Sequence, residues 1–180
     1  MTRIFLIGYM GAGKTTLGKA LAQTLELEFI DLDWYIEGRF HKSVNELFAE
    51  RGEEGFRLLE QQLLHEVAEF EDTVISTGGG TPCHFDNMTF MRQKGATLFL
   101  NASNEALLRR LKISRHKRPL LRDKTNGELL SFIVHSLEER LPFYSQAEYT
   151  ITSDWLESHQ QIADTVEKTI QTLGLSVNSH

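Results

Sequence analysis

Gly8-Tyr9-Met10-Gly11-Ala12-Gly13-Lys14-Thr15 is the stretch on which the reading of this chain turns. A glycine, four further residues and then Gly-Lys-Thr is the spacing of a phosphate-cradling loop. Before it, Ile4-Phe5-Leu6-Ile7 is an apolar run of strand length. After it, Leu17, Ala20, Leu21 and Leu25 recur at helical spacing. The glycines permit a tight turn that aims several backbone N–H groups at one point. The first turn of the following helix adds unpaired N–H groups and the positive end of its dipole. A cation at that end, Lys14, is disfavoured unless an anion joins it, and a polyphosphate is such an anion. Thr15 offers a hydroxyl to a magnesium ion on the same phosphates. The plain alternative, a glycine turn capping an ordinary helix, leaves the lysine and the hydroxyl without a purpose.

The 180 residues suit one domain spanning 1–180, with 41% apolar and 24% charged residues, an ordinary balance for a soluble globular protein. A formal net charge of −6 argues against broad attraction to nucleic acid or to an anionic membrane. Any anion must therefore be held by a local basic site. Cys83 is the only cysteine, which excludes an internal disulfide and fits a reducing compartment; it reads as a small buried hydrophobe. No apolar run reaches the roughly 20 residues of a membrane helix, and the N-terminal apolar run is too short for a signal peptide. A cytoplasmic protein is expected. The seven histidines (His41, His65, His84, His116, His135, His159 and His180) are scattered without the close pairing of a metal site.

Strand-length runs at Arg3–Ile7, Glu28–Asp31, Thr73–Ser76, Thr97–Leu100 and Tyr149–Ile151 alternate with helical patterns. The helices are expected at Lys14–Leu25, Asp33–Phe40, Ser43–Arg51, Glu53–Phe70, Asn104–Leu111, Gly127–Tyr144 and Ser158–Leu173. Ser43 with Glu46 reads as a capping box. This alternation predicts an α/β fold, a parallel sheet with helices on both faces, and ligands gather at the carboxyl ends of such strands. The residues after the first three strands, Gly8 onward, Asp31 to Asp33 and Ser76 to Gly80, should meet in one crevice. The segment Ile113–Asn126 is basic, holds Pro119 and shows no clean period; over a phosphate site it reads as a mobile lid, from about 112 to 126.

Asp31 and Asp33 are placed two apart at a strand end, on one face, with Leu32 opposite. One carboxylate can orient water on magnesium, and the other can hold a substrate hydroxyl and accept its proton. The structural alternative is an aspartate capping a helix ahead of Trp34-Tyr35-Ile36. Gly78-Gly79-Gly80 follows a strand, where close backbone approach is worth its entropic cost, and Ser76 can join the magnesium water shell. Arg57 can pair with Glu60 on one helix face. Arg140 precedes Leu141-Pro142, and two such arginines with glycine N–H groups would make a bidentate carboxylate site. Arg118, in the basic segment, can meet a phosphoryl group in transit. Spacing alone does not single out these three arginines. Trp34, Tyr35 and most phenylalanines read as core, with Phe48 and Phe56 walling a pocket.

Taken together these pieces resemble the shikimate kinase family. The likeness runs over about residues 3 to 150, through the glycine loop to Thr16, Asp31-Leu32-Asp33, Phe56-Arg57-Leu58-Leu59-Glu60, Gly78-Gly79-Gly80, Arg118-Pro119-Leu120-Leu121 and Arg140-Leu141-Pro142-Phe143-Tyr144. The resemblance implies a five-stranded parallel sheet in the nucleoside monophosphate kinase style, usually monomeric. It implies magnesium-dependent transfer of the ATP γ-phosphoryl group to the 3-hydroxyl of shikimate, in aromatic amino-acid biosynthesis. Gly11, Ala12, Gly13, Lys14, Thr15 and Thr16 are then the ATP phosphate site, with Lys14 on the β and γ groups. Thr15 ligates Mg2+ directly, and Asp31 and Ser76 act through water. Asp33 binds ring hydroxyls and is the base. Arg57, Arg140 and the loop Gly78, Gly79, Gly80 hold shikimate, with Glu60 orienting Arg57. Arg118 is the lid arginine, and Arg110 packs on adenine. The loop Thr152-Ser153-Asp154-Trp155-Leu156 lacks the basic residue associated with the family's adenine side. A gluconate or nucleotide kinase on the same scaffold predicts a different acceptor pocket. A nucleotide switch would want a guanine motif Asn-Lys-x-Asp, which the chain lacks.

Overall fold

A computed structural model describes residues 1–176 apart from Arg115, Lys117 and Pro119. Pro119 and part of the expected lid segment, together with His180, therefore lie outside the described residues. Five strands, β1 (Arg3–Ile7), β2 (Glu28–Asp31), β3 (Thr73–Ser76), β4 (Ala96–Asn101) and β5 (Tyr149–Thr152), form one sheet in the order β2-β3-β1-β4-β5. Every pairing is parallel. Parallel neighbours need crossovers, and helices supply them: α1 (Lys14–Leu25), α2 (Leu32–Phe40), α3 (Val44–Val67), α4 (Asn87–Lys94), α5 (Asn104–Ser114), α6 (Asn126–Tyr144) and α7 (His159–Thr172). Consecutive residues Ile4 to Ile7 and Thr73 to Ser76 are all buried, so both sheet faces are covered. That is why these strands read as continuous apolar runs rather than alternating ones.

The register fixes the site. Leu6 of β1 and Asp31 of β2 both lie beside Ser76 of β3, so three strands end at one level. β1 is central, and the chain leaves it to either side, so its carboxyl end is the switch point of the sheet. Gly13 caps α1 in a left-handed conformation (φ 97°). A side chain there would also strike Leu156. Gly18, buried on α1, lies flat against the sheet; a methyl group added to it would sit 2.5 Å from Phe29 Cε2 and 2.9 Å from Leu6 Cδ1.

Several sequence expectations need correction. The strand containing Asp31 ends there, and Asp33 stands in the first turn of α2. The two aspartates are brought together by a strand-to-helix corner rather than by strand alternation. Asp31 is itself the helix cap, accepting from the Trp34 N–H at 3.2 Å. Trp34 is not core; it is 52% exposed, with the Lys19 ammonium 4.7 Å from its ring centroid. α4 was not expected, its hydrophobic pattern being short. The basic segment is less irregular than its composition suggests, since α5 continues through Lys112 to Ser114 and α6 opens at Asn126. The two helices expected around Gly52 are one run broken at that residue, where φ is 69° and ψ 177°. The capping box at Ser43 and Glu46 is present.

Gly18→Val, which forces a branched side chain between α1 and the sheet, is expected to lower unfolding stability by about 1–3 kcal/mol. Urea denaturation with an unchanged m-value would report it; an unshifted midpoint would mean that α1 is free to lift off β1 and β2.

Candidate active site

The glycine loop closes on itself before any other residue is involved. The Ala12 N–H donates to Tyr9 O at 3.1 Å, and the Lys14 ammonium donates to Gly8 O at 2.7 Å and Tyr9 O at 3.0 Å. Lys14 is almost fully buried. Burial pulls its pKa down to about 8, against the opposing pull of Asp33 and Asp31. An anion beside it stabilises the charged form. The Thr15 hydroxyl donates to Asp31 Oδ2 at 3.0 Å, which ties the loop to the end of β2.

Around this loop is a cleft of about 430 Å³. Gly11, Gly13, Lys14, Thr15 and Thr16 form one wall. Asp31, Asp33, Ser76, Gly78 and Gly79 form the facing side, and Arg110, Arg118, Leu156 and Glu157 line the rest. Ala12 does not line it, being packed inside the loop at 1% exposure. Asp33 is pushed up to about 6, first by burial and then by the charges of Asp31 and Glu60, with Lys14 opposing. A carboxyl in that range can take a proton near neutral pH. Burial lowers the Arg118 pKa, and Asp33 counters it. Arg118 is thus electrostatically within reach of the Asp33 carboxylate.

A second group of side chains adjoins the cleft at the glycine triplet. Arg57 donates from Nη1 to Glu60 Oε1 at 2.9 Å and Oε2 at 3.2 Å, and Glu60 is 1% exposed. The Arg57 guanidinium carbon lies 5.4 Å from the Phe48 ring centroid and 5.6 Å from that of Phe56, rings that stack on each other at 4.1 Å. Its buried Nε–H has no acceptor among the described residues. A charged donor so left calls for an anionic ligand. A methyl group added at Gly80 would lie 2.5 Å from Arg57 Nη2, and one at Gly79 3.2 Å from Arg140 Nη1. At Gly79 and Gly80, guanidinium groups lie against the backbone, a second reason for glycine beside the close ligand approach expected from the sequence. Arg140 also lies over Tyr9, 5.4 Å from the ring centroid. The Tyr144 hydroxyl donates to Gly79 O at 2.5 Å and holds the triplet from behind. Asp33 Oδ1 would be 3.2 Å from a methyl group at Gly78, so the carboxylate borders both the cleft and the triplet.

All three arginines and both aspartates named from the sequence therefore gather around Lys14 and the triplet. Arg110 is placed differently from a free stacking group. It braces the loops, donating to Gly11 O (3.1 Å), Ala12 O (3.4 Å), Ser153 O (2.7 Å) and Glu157 Oε1 (3.0 Å). Tyr9, Tyr144 and Glu157 were missed. Tyr9 lies inside the quoted loop and could have been found there; Glu157 joins the cleft only through contacts 47 residues away in the chain. Cys83 is half-buried, and burial raises its thiol to about 11, so it is protonated at neutral pH. Among the described residues no three of His, Cys, Asp and Glu gather to hold a metal by themselves. The hard oxygens of Thr15, Asp31 and Ser76 suit a magnesium ion held mainly by phosphates and water.

The raised pKa of Asp33 has a thermodynamic sign. The folded carboxyl binds its proton more tightly than the unfolded one, so this group costs stability as pH rises from about 4 through about 6. Asp33→Asn is expected to stabilise the fold at pH 8 by about 1–3 kcal/mol, with the gap closing toward pH 4. Thermal denaturation at the two pH values checks this; equal melting temperatures at pH 8 would mean that Asp33 is solvated.

Comparison with known proteins agrees with this arrangement. The family model for shikimate kinase matches residues 10–171. Shikimate kinase of Bacteroides thetaiotaomicron is 59% identical over 175 residues, covering 97% of this chain and all of the relative. A crystal structure of shikimate kinase from that organism superposes with a TM-score of 0.92 at 57% identity, covering 97% of this chain and 99% of the other. Shikimate kinase from Acinetobacter baumannii, solved in complex with shikimate, is 35% identical with a TM-score of 0.81, covering 96% and 93%.

Proposed function

This chain belongs to the shikimate kinase family, and from that premise we propose which of its residues carry the transfer of the ATP γ-phosphoryl group to the 3-hydroxyl of shikimate. The observation that supports the assignment is the meeting, at the Gly78–Gly80 backbone, of a phosphate loop with an aspartate and two guanidinium groups. The loop Gly11 to Thr16 receives the ATP phosphates. Lys14 leaves its carbonyl partners for the β and γ oxygens and follows the charge as it moves. Thr15, Asp31 and Ser76 would hold Mg2+ together with the phosphates. When bound, the ion neutralises charge on the phosphates and orients them.

Shikimate lies across the triplet with its carboxylate on Arg57 and Arg140. Glu60 keeps the Arg57 fork in plane, leaving its free Nε–H edge for the ligand. The stacked Phe48 and Phe56 keep water from that side. Asp33 receives the ring hydroxyls and takes the proton of the attacking one. Its position beside both the cleft and the triplet makes it the group that aligns acceptor and donor. Arg118, carried on a lid over about residues 112–126, closes on the phosphoryl group and balances its charge. Arg110 borders the base. We take the enzyme to act as a cytoplasmic monomer without nucleic-acid or membrane partners, consistent with its net charge of −6. No helix among the described residues is long and apolar enough to cross a membrane.

Paired guanidinium groups favour a carboxylate-bearing acceptor and Asp33 a polyol; gluconate carries both features, so the choice between it and shikimate is made by assay. An ADP-release assay with shikimate, quinate and gluconate tests this: turnover is expected with shikimate, and turnover with gluconate alone would overturn it. Asp33→Asn should lower kcat by about 10²-fold or more, with ATP binding preserved; an unchanged kcat removes Asp33 from the chemistry. Arg140→Ala should weaken shikimate binding by about 2–5 kcal/mol. A rise confined to the ATP KM would instead move Arg140 to the nucleotide side.

A further inference from the structure

The loop after β5 lacks the basic residue to which the resemblance led, and Glu157 follows directly on it. Glu157 borders the nucleotide cleft beside Leu156, which packs on Gly13. Its carboxylate accepts three directed bonds. Arg109 Nη2 and Arg110 Nε both reach Oε1 at 3.0 Å, and the Leu156 N–H reaches Oε2 at 2.8 Å. Burial works against its charge, but the Leu156 N–H and the two arginines prevail and hold the carboxyl at about 2, so it stays ionised at any working pH.

Arg110 is thereby fixed at every nitrogen. With Nε on Glu157 and Nη2 on Ser153 O, Nη1 is left to grip Gly11 O and Ala12 O. A trans peptide holds its C=O and the following N–H on opposite sides. Drawing Ala12 O toward Arg110 therefore turns the Gly13 N–H the other way. The Ala12 N–H is already committed to Tyr9 O, so the Gly13 N–H is the donor whose direction this grip decides.

We propose that Glu157 is a positioning residue for the nucleotide: acting through Arg110, it sets the orientation of the peptide units of the phosphate loop. The inference rests on the reading of that loop as the ATP phosphate site. Without the carboxylate, the Arg110 side chain loses the anchor of its Nε and swings away from the loop carbonyls, leaving the loop N–H groups less well aimed before ATP arrives. Arg109, held by the same oxygen and by Asp154 O at 2.9 Å, keeps the loop on α5 in either case.

The test is a double-mutant cycle on the full chain, Glu157→Gln, Arg110→Ala and both together, read as ATP KM, shikimate KM and ATP affinity by calorimetry without acceptor. Glu157→Gln is expected to weaken ATP by about three- to thirtyfold in both KM and Kd, with shikimate KM moving by less than about twofold. In the Arg110→Ala background Glu157→Gln should add nothing further. Unchanged or tighter ATP binding overturns the proposal, because Arg110 would then be better used unpaired. Additive effects overturn it too, since Glu157 would act independently of Arg110. So does an equal rise in both KM values with a lowered melting temperature, which marks a loss of fold. Should the parent protein bind ATP but not phosphorylate shikimate, the functional reading fails while the calorimetric cycle still decides the role of Glu157.

Discussion

The ammonium of Lys14 sits where water barely reaches, held by two carbonyl oxygens of its own loop at 2.7 and 3.0 Å. A cation there is tolerable only because the surroundings are arranged for it: carbonyls within the loop, Asp33 and Asp31 across the cleft, and a place for phosphate. The other charges are arranged about that one. Asp33 is not neutralised by a single partner, which leaves its carboxyl close to the pH at which it must work. Glu60 takes Arg57 to itself, so the second cationic site does not cancel the first carboxylate. Lys14 and Asp33 thus act on each other's charge without forming a direct ion pair among the described residues, the state in which they can serve a substrate.

Holding them apart is the task of the fold. Three parallel strands end at one level, so the glycine loop, the Asp31 corner and the triplet start from fixed points. The guanidinium groups come from α3 and α6, long helices anchored by Leu59, Leu63, Leu129 and Ile133 in the core. Rigid elements carry the charges, and the glycine backbone lets the side chains converge. Tyr144, buried and bonded to Gly79 O, links α6 to the triplet and makes their separation a fixed quantity.

Much of this was legible in the sequence, for physical reasons. β1 and α1 were bounded to the residue, because a parallel strand buried on both faces is a pure apolar run and glycine marks the helix start. The break in α3 was visible for the same reason, since Gly52 interrupts an otherwise regular pattern. Asp33 was named correctly on a mistaken local geometry: spacing of two suits a strand face, but the chain had already turned into α2. Trp34 misled because aromatic residues are usually core, whereas here Asp33 points inward and its neighbour outward. α4 has too few apolar positions to announce itself. Glu157 had no local signal; its importance comes from Arg109 and Arg110, which tertiary structure alone brings to it.

The contact between Gly80 and Arg57 also bears on how such a pocket can change over generations. A Cβ at Gly80 would lie 2.5 Å from Arg57 Nη2, so a side chain there must displace the guanidinium from its place against the triplet. A lineage shifting to an uncharged acceptor must surrender Arg57 before it can remodel the triplet, and Glu60, then buried without a counter-charge, has to go with it. Changes linked in this way insulate the acceptor side from gradual drift.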